Sequence, residues 1–338
     1  MLPIRDEIAR GIYGSFFGLR ERPFDLTPNP RYLFLAARQR EVLSNLRYGL
    51  STPRGFTLLI GEAGCGKTTV LNAVLSELNS SKNRCLFATN PTLNRAEFYQ
   101  FLAHGFSLSP AAAESKTQFL EELRRDIEMR FSEGGLTGLI IDEAQSLPYE
   151  LLEEIRLLGN METSSEKLLN VVLAGQPELS ERLNESSLRQ LKQRIALRCE
   201  LKPFDASETS SYIAGRLRVA GGLPQAIFTR DAVLAIYEAA AGLPRTINVL
   251  CDNALIGGFA EQVKPVTARI VAEVVRDFDM GRTASAAPEG SIRENPGVEE
   301  RSIDVEERPV EEETLKDQTR PGIVSRIKRR FSRFEDLA

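Results

Sequence analysis

Gly61-Glu62-Ala63-Gly64-Cys65-Gly66-Lys67-Thr68 decides how this chain is read. Gly61 and Gly66 enclose four residues and are followed by Lys and Thr, the spacing of a phosphate-cradling loop. The glycines let backbone N–H groups turn inward around anionic oxygens. A helix that starts at the loop adds the partial positive charge of its N-terminus. An apolar run, Phe56–Ile60, leads into the loop and an amphipathic one, Lys67–Leu78, leaves it. Strand, loop and helix are therefore all in place around Lys67, which suits β- and γ-phosphates, and Thr68, whose hydroxyl suits Mg2+.

Outward from the loop, short β-rich runs recur at Arg84–Ala88, Gly138–Ile141, Asn170–Leu173 and Ala196–Leu201, with amphipathic stretches such as Phe119–Phe131 between them. Apolar strands alternating with helices predict a buried parallel sheet covered on both faces. The run Leu139-Ile140-Ile141 ends in Asp142-Glu143, carboxylates suited to holding Mg2+ and to polarising a water. Leu173-Ala174-Gly175 ends at Gln176 and a Pro, a polar side chain beside the acidic strand end. Ser187–Ile195 reads as a basic helix before the last strand, with Arg194, and Arg189 in reserve, as a cation that could reach a neighbouring subunit.

From Asp205 to Phe278 no strand pattern returns. Ser207–Val219, Thr229–Ala240, Pro244–Glu261 and Thr267–Phe278 read as helices, with Thr229 and Thr267 as N-caps. Gly242-Leu243-Pro244-Arg245 opens the third of these, so Arg245 projects from a helix start. Ahead of the sheet, Phe16-Phe17-Gly18-Leu19 and Arg22–Pro30 form a Pro- and aromatic-rich stretch expected to lie extended across the domain, followed by a helix, Ala36–Leu50.

Composition narrows the function. The 338 residues carry 43 Lys and Arg against 47 Asp and Glu, so there is no global basic footprint for nucleic acid. Four scattered cysteines without a Cys-x-x-Cys pair argue against a zinc knuckle or a disulfide framework. With His104 the only histidine, a His-rich metal site or a Ser-His-Asp triad is improbable. No apolar run reaches the roughly 20 residues of a membrane span, and Met1–Ile12 does not resemble a secretory signal, so the expected compartment is the cytoplasm. Past Gly281 the apolar periodicity stops. Residues 294–317 hold ten acidic and three basic side chains, the composition of a disordered linker. Residues 320–333 carry six basic and no acidic side chains, and Ile323, Ile327, Phe331 and Phe334 recur at helical spacing.

These elements, in this order, resemble the AAA+ ATPases. Phe17-Gly18-Leu19, Pro23-Phe24, Pro28-Asn29-Pro30, Gly55-Phe56, Asp142-Glu143-Ala144-Gln145, Ala174-Gly175-Gln176-Pro177-Glu178-Leu179, Gln193-Arg194-Ile195 and Gly242-Leu243-Pro244-Arg245 are similar to the ExeA type. That is the general secretion pathway protein A family, with relatives in type IV pilus biogenesis and exosortase-linked polysaccharide loci. The resemblance covers roughly Phe16 to Phe278. It implies ATP on Gly61, Glu62, Ala63, Gly64, Cys65, Gly66, Lys67, Thr68 and Thr69, with Mg2+ on Thr68 and Asp142. It implies Glu143 as catalytic carboxylate, Gln176 as sensor 1, Arg194 as arginine finger and Arg245 as sensor 2, with the stretch around Pro28–Pro30 on the adenine side.

The fold expected is an α/β P-loop NTPase of AAA+ type: a five-stranded parallel sheet flanked by helices, a small all-helical lid, and a disordered C-terminal tail. The expected units are residues 1–54 (N-terminal segment and helix), 55–203 (nucleotide-binding domain), 204–280 (lid), 281–319 (acidic linker) and 320–338 (basic amphipathic tail). Some family members continue into a membrane span and a peptidoglycan-binding domain. Neither is visible here, and the basic tail is a candidate for binding the inner membrane face or a partner groove. The function expected is an oligomeric ATP-hydrolysing motor or switch serving envelope or secretion machinery. The alternative is a DNA-associated AAA+ ATPase of the transposition or regulatory type. A local patch such as Arg182–Arg198 keeps nucleic acid open as a partner.

Overall fold

The computed structural model describes residues 11–278, apart from 28, 79–81, 90–92 and 165. Among these, five strands form one sheet: β1 (Phe56–Gly61), β2 (Arg84–Ala88), β3 (Thr137–Ile141), β4 (Leu169–Gly175) and β5 (Ile195–Leu201). Their order is β2-β3-β4-β1-β5 and every neighbouring pair runs parallel. The expected strands are all present: β2 has the expected bounds, β1, β3 and β5 are longer by one residue, and β4 by three.

Helices of ten or more residues are α1 (Ala37–Ser51), α2 (Lys67–Leu78), α3 (Arg95–Gly105), α4 (Lys116–Ser132), α5 (Tyr149–Leu158), α6 (Ala206–Val219), α7 (Arg230–Ala240), α8 (Pro244–Glu261) and α9 (Ala268–Asp277). Strand residues alternate between the sheet's two faces. Leu58, Ile60, Leu139, Ile141, Val171 and Leu173 join the core formed with α3, α4 and α5. Leu59, Ile140, Val172 and Ala174 join the core formed with α1 and α2, through Val42, Leu46, Leu50, Leu71 and Val74. Burial on both faces is why β1, β3 and β4 read as near-continuous apolar runs, with Thr57, Thr137 and Asn170 as buried polar exceptions. On the first face, buried Glu154 of α5 accepts from Tyr99 of α3 and from Lys116 of α4 at 2.7 Å, and pairs with Arg95. One carboxylate thereby ties three helices together.

Helices α6 to α9 build a third core, and the N-terminal stretch belongs to it. Tyr13, Phe17, Leu19 and Phe24 pack among Leu217, Phe228, Leu250 and Leu255. Residues within 1–54 thus serve two cores, since α1 packs on the sheet while the aromatic stretch packs on the lid. That stretch is not wholly extended. Gly14–Phe17 is one α-helical turn, ended by Gly18 at φ 72°, and Pro30–Tyr32 is a 3-10 turn. Two further expectations change. Ser187–Ile195 is no single helix but a 3-10 turn, Ser186–Leu188, then one α-turn, Arg189–Lys192, before β5 begins. Thr229 caps α7 by accepting from Ala232 N at 3.1 Å, whereas the Thr267 side chain makes no capping bond to α9. The acidic linker and basic tail lie outside the described residues.

Candidate functional site

In a parallel sheet the strands' C-terminal ends share one edge, and ligands bind outside it. Here Ile60 pairs with Gly175, and Ile141 with Leu173. That register places Gly61 and its loop, Asp142-Glu143, and Gln176 side by side. Gly64 (φ 79°) and Gly66 (φ 98°) take the left-handed conformations that turn the loop. Lys67, the first residue of α2, is 4% exposed, and its Nζ donates to Gly61 O at 2.9 Å and Glu62 O at 3.2 Å.

Asp142 is buried, and its backbone N donates to Ala88 O at 2.9 Å, which ties the acidic strand end to β2. Thr68 Oγ1 donates to Asp142 Oδ2 at 2.5 Å. A hydroxyl and a carboxylate converge at one point, a hard-oxygen pair suited to Mg2+. Among the described residues no cluster of three or more His, Cys, Asp or Glu could hold a metal by itself.

Glu143 has φ 53°, a left-handed conformation uncommon for a residue with a Cβ. Two amides hold its carboxylate, with Gln145 Nε2 donating to Oε2 at 2.5 Å and Gln176 Nε2 at 3.2 Å. Gln145 also accepts from Gln176 N at 3.1 Å, so it clasps the acid and the neighbouring strand end together. Partial burial pushes the Glu143 carboxyl up, but the bonds from Gln145 and Gln176 and the Lys67 charge outweigh it and leave it below its ordinary value. Glu143 is therefore ionised at neutral pH, an acceptor able to take a proton.

Replacing Gln145 with Ala removes one of the lowering donors, so the Glu143 carboxyl should titrate at higher pH. If Glu143 acts ionised, turnover in the wild type persists as pH falls through the ordinary glutamate range and fails below it. In Gln145→Ala the acid limb should move up in pH and kcat at neutral pH should fall about 10–100-fold, with KM little changed. An unmoved limb in the kcat–pH profile would remove Gln145 from this role.

The lid closes the other side of the cleft. Arg245 N donates to Gly64 O at 3.2 Å, and a Cβ on Gly64 would meet Arg245 Cβ at 3.0 Å, so sensor-2 candidate and phosphate loop touch. Beside this contact lies a cleft of about 390 Å3. Its phosphate end is lined by Gly64–Thr69, Glu143 and Arg245. Its other end is lined by Leu26, Leu33 and Phe34 of the N-terminal stretch, Gln39 of α1, and Tyr212 and Arg216 of α6. Asn29 also lines it; Pro28 and the side chain of Pro30 lie outside the described residues. Arg216 fastens the stretch to the lid, donating to Pro23 O and Asp25 O and stacking over Tyr32 at 4.8 Å.

Of the predicted site residues, the loop, Asp142, Glu143, Gln176 and Arg245 come together. Arg194 and Arg189 do not line the chain's own cleft, and Arg194 Nη1 donates to Arg156 O near the end of α5 at 2.8 Å. Sequence reasoning quoted Gln145 without giving it a role, and it passed over Gln39, Tyr212 and Arg216. Only the Asp-Glu-Ala-Gln run signalled any of these, because the others reach the cleft through tertiary packing.

Comparison with known proteins matches residues 50–183 to a family model described as an AAA domain. Over 250 residues the chain is 41% identical to general secretion pathway protein A of Aeromonas hydrophila, covering 74% of this chain and 45% of that protein. The chain carries an AAA+ module of the ExeA type. It spans less than half the length of that relative. The ExeA-type module also shares its fold with the ORC2 protein of Aeropyrum pernix in ADPNP–ADP complexes (TM-score 0.55, 17% identity, 79% of this chain and 72% of that one). ORC from Drosophila bound to DNA is similar too (TM-score 0.53, 20% identity, 76% and 64%). At such identities the likeness is one of fold alone. No helix among the described residues of the ExeA-type chain is long and apolar enough to cross a membrane.

Proposed function

We propose that this chain binds ATP with Mg2+ between the phosphate loop and the lid, and hydrolyses it. The observation that carries the hydrolytic part is the ionised Glu143 carboxylate, held by Gln145 and Gln176 beside Lys67 and the Thr68–Asp142 pair. A loop that only bound nucleotide would need no oriented acid there. Lys67 neutralises phosphate charge, and Thr68 and Asp142 hold Mg2+, which offsets charge on the phosphate oxygens. Glu143 takes a proton from water as its oxygen bonds to the γ-phosphorus and the bond to ADP breaks. In this reading Gln176, now bonded to Glu143, passes to the γ-phosphate when nucleotide binds, and Arg245 follows the nucleotide with the lid. Arg194 serves the cleft of a neighbouring copy in an ATP-dependent oligomer.

The likeness to general secretion pathway protein A supports service to an envelope-associated secretion, pilus or polysaccharide-export machine, from the cytoplasmic side. The basic tail gives it a means to sit at the inner membrane face. ATP turnover of the full chain, alone and with anionic vesicles or duplex DNA at two salt concentrations, tests this. Vesicle stimulation lost on deleting residues 320–338 is the expected result. Stimulation by DNA with steep salt dependence would replace this reading with a DNA-associated one. No Mg2+-dependent phosphate release under any condition would end the ATPase proposal.

A further inference from the structure

Gln39 is a buried polar side chain that nothing above accounts for. It sits in the first turn of α1 and is 4% exposed. Its amide oxygen Oε1 is buried with no hydrogen-bond partner, although buried acceptors in folded proteins are nearly always paired. The same side chain lines the cleft that holds Lys67 and Arg245.

The cleft has two chemically different ends. Phosphates anchored at the loop leave a base among the aromatic and apolar residues at the other end. There Phe34 packs edge-on against Phe204 and Tyr212, with ring centroids 5.6 and 5.7 Å apart. Aromatic walls receive any purine. Telling one purine from another needs a polar atom whose hydrogen-bonding capacity is not already spent inside the protein. Of the buried side-chain atoms lining the cleft, Gln39 Oε1 and Tyr32 Oη meet that condition, and of the two only the amide oxygen is an acceptor alone, since a hydroxyl can donate to a carbonyl as readily as it accepts from an amino group.

We propose that Gln39 is the residue that selects adenine, its Oε1 accepting a hydrogen bond from the base's exocyclic 6-amino group. Guanine presents a carbonyl oxygen at that position, and two acceptors would then face each other. This rests on the reading that the cleft holds a nucleoside triphosphate.

Equilibrium binding to the full chain with Mg2+ tests it, using ATP, GTP and purine riboside triphosphate, which lacks the 6-amino group. The wild type should bind ATP about tenfold or more tighter than purine riboside triphosphate, the effect of one hydrogen bond to a buried acceptor. In Gln39→Leu that ratio should fall to near one through weaker ATP binding, while affinity for purine riboside triphosphate stays within a few-fold. Equal wild-type affinity for ATP and purine riboside triphosphate would overturn the assignment, and that comparison needs no variant to fold. GTP bound as tightly as ATP would overturn it too, because the amide would then be turning to read either base. If none of the three binds, the nucleotide reading itself fails, a result distinct from a loss of discrimination.

Discussion

Glu143→Gln should lower ATP turnover by about 100- to 10,000-fold, the range of a positioned general base, while ATP affinity stays within a few-fold. The substitution keeps the shape of the side chain but removes its negative charge and its ability to take a proton. Its backbone strain is common to both side chains, because Gln pays the same cost at φ 53°. The variant should therefore fold and melt like the wild type. An amide at 143 can still accept from Gln145 and Gln176 by presenting its oxygen, so the clasp survives. Binding groups and the Thr68–Asp142 pair are untouched. Single-turnover phosphate release alongside equilibrium ATP binding gives the two numbers separately. Wild-type turnover in Glu143→Gln would remove Glu143 from catalysis, and lost binding would make it a ligand-holding residue.

Gly242→Ala should be strongly damaging at the turn between α7 and α8, where the lid meets the Phe204 backbone just after β5. Gly242 has φ 74°, and a Cβ there would run into the backbone of Phe204, whose N donates to Gly242 O at 2.9 Å. Backbone cannot swing aside as a flexible side chain can, so strain and clash add. A loss of about 3 kcal/mol is expected. For a folded region of this size that lowers Tm by about 6–12 °C. Arg245 lies three residues on and contacts Gly64 through its backbone, so kcat should fall as well. Gly18→Ala is the matched control, with φ 72° and no atom within 4 Å of its Cβ position. It should cost only the conformational term, about 1 kcal/mol. Equal melting of the two variants would mean the Phe204 contact relaxes freely.

Much of the nucleotide end was legible because its geometry is local. Lys67 and Thr68 follow their glycines directly, so the loop, helix and dipole come together from adjacent residues. The strands were legible because β1, β3 and β4 are buried on both faces, which leaves near-continuous apolar runs. The break in Ser187–Ile195 was not, since its charged spacing suits a helix while the buried Leu188 and Leu191 follow the local core instead. Nor was the allegiance of the N-terminal aromatics, which the prolines marked only as non-helical.

The sequence by itself determined the parallel sheet, the phosphate loop, the acidic strand end and a helical lid. Each is written in the spacing of neighbouring residues, and short-range sterics and periodicity carry it. Only the tertiary structure decided that Gln145 joins Glu143 to the Gln176 strand end, that Arg245 meets Gly64, and that Phe34, Gln39 and Tyr212 share one cleft. The decisive pairs are far apart in sequence, Gln145 and Gln176 by 31 positions, Gly64 and Arg245 by 181, and Gln39 and Tyr212 by 173. No local pattern encodes such meetings, because they depend on which apolar faces bury together once the whole chain packs.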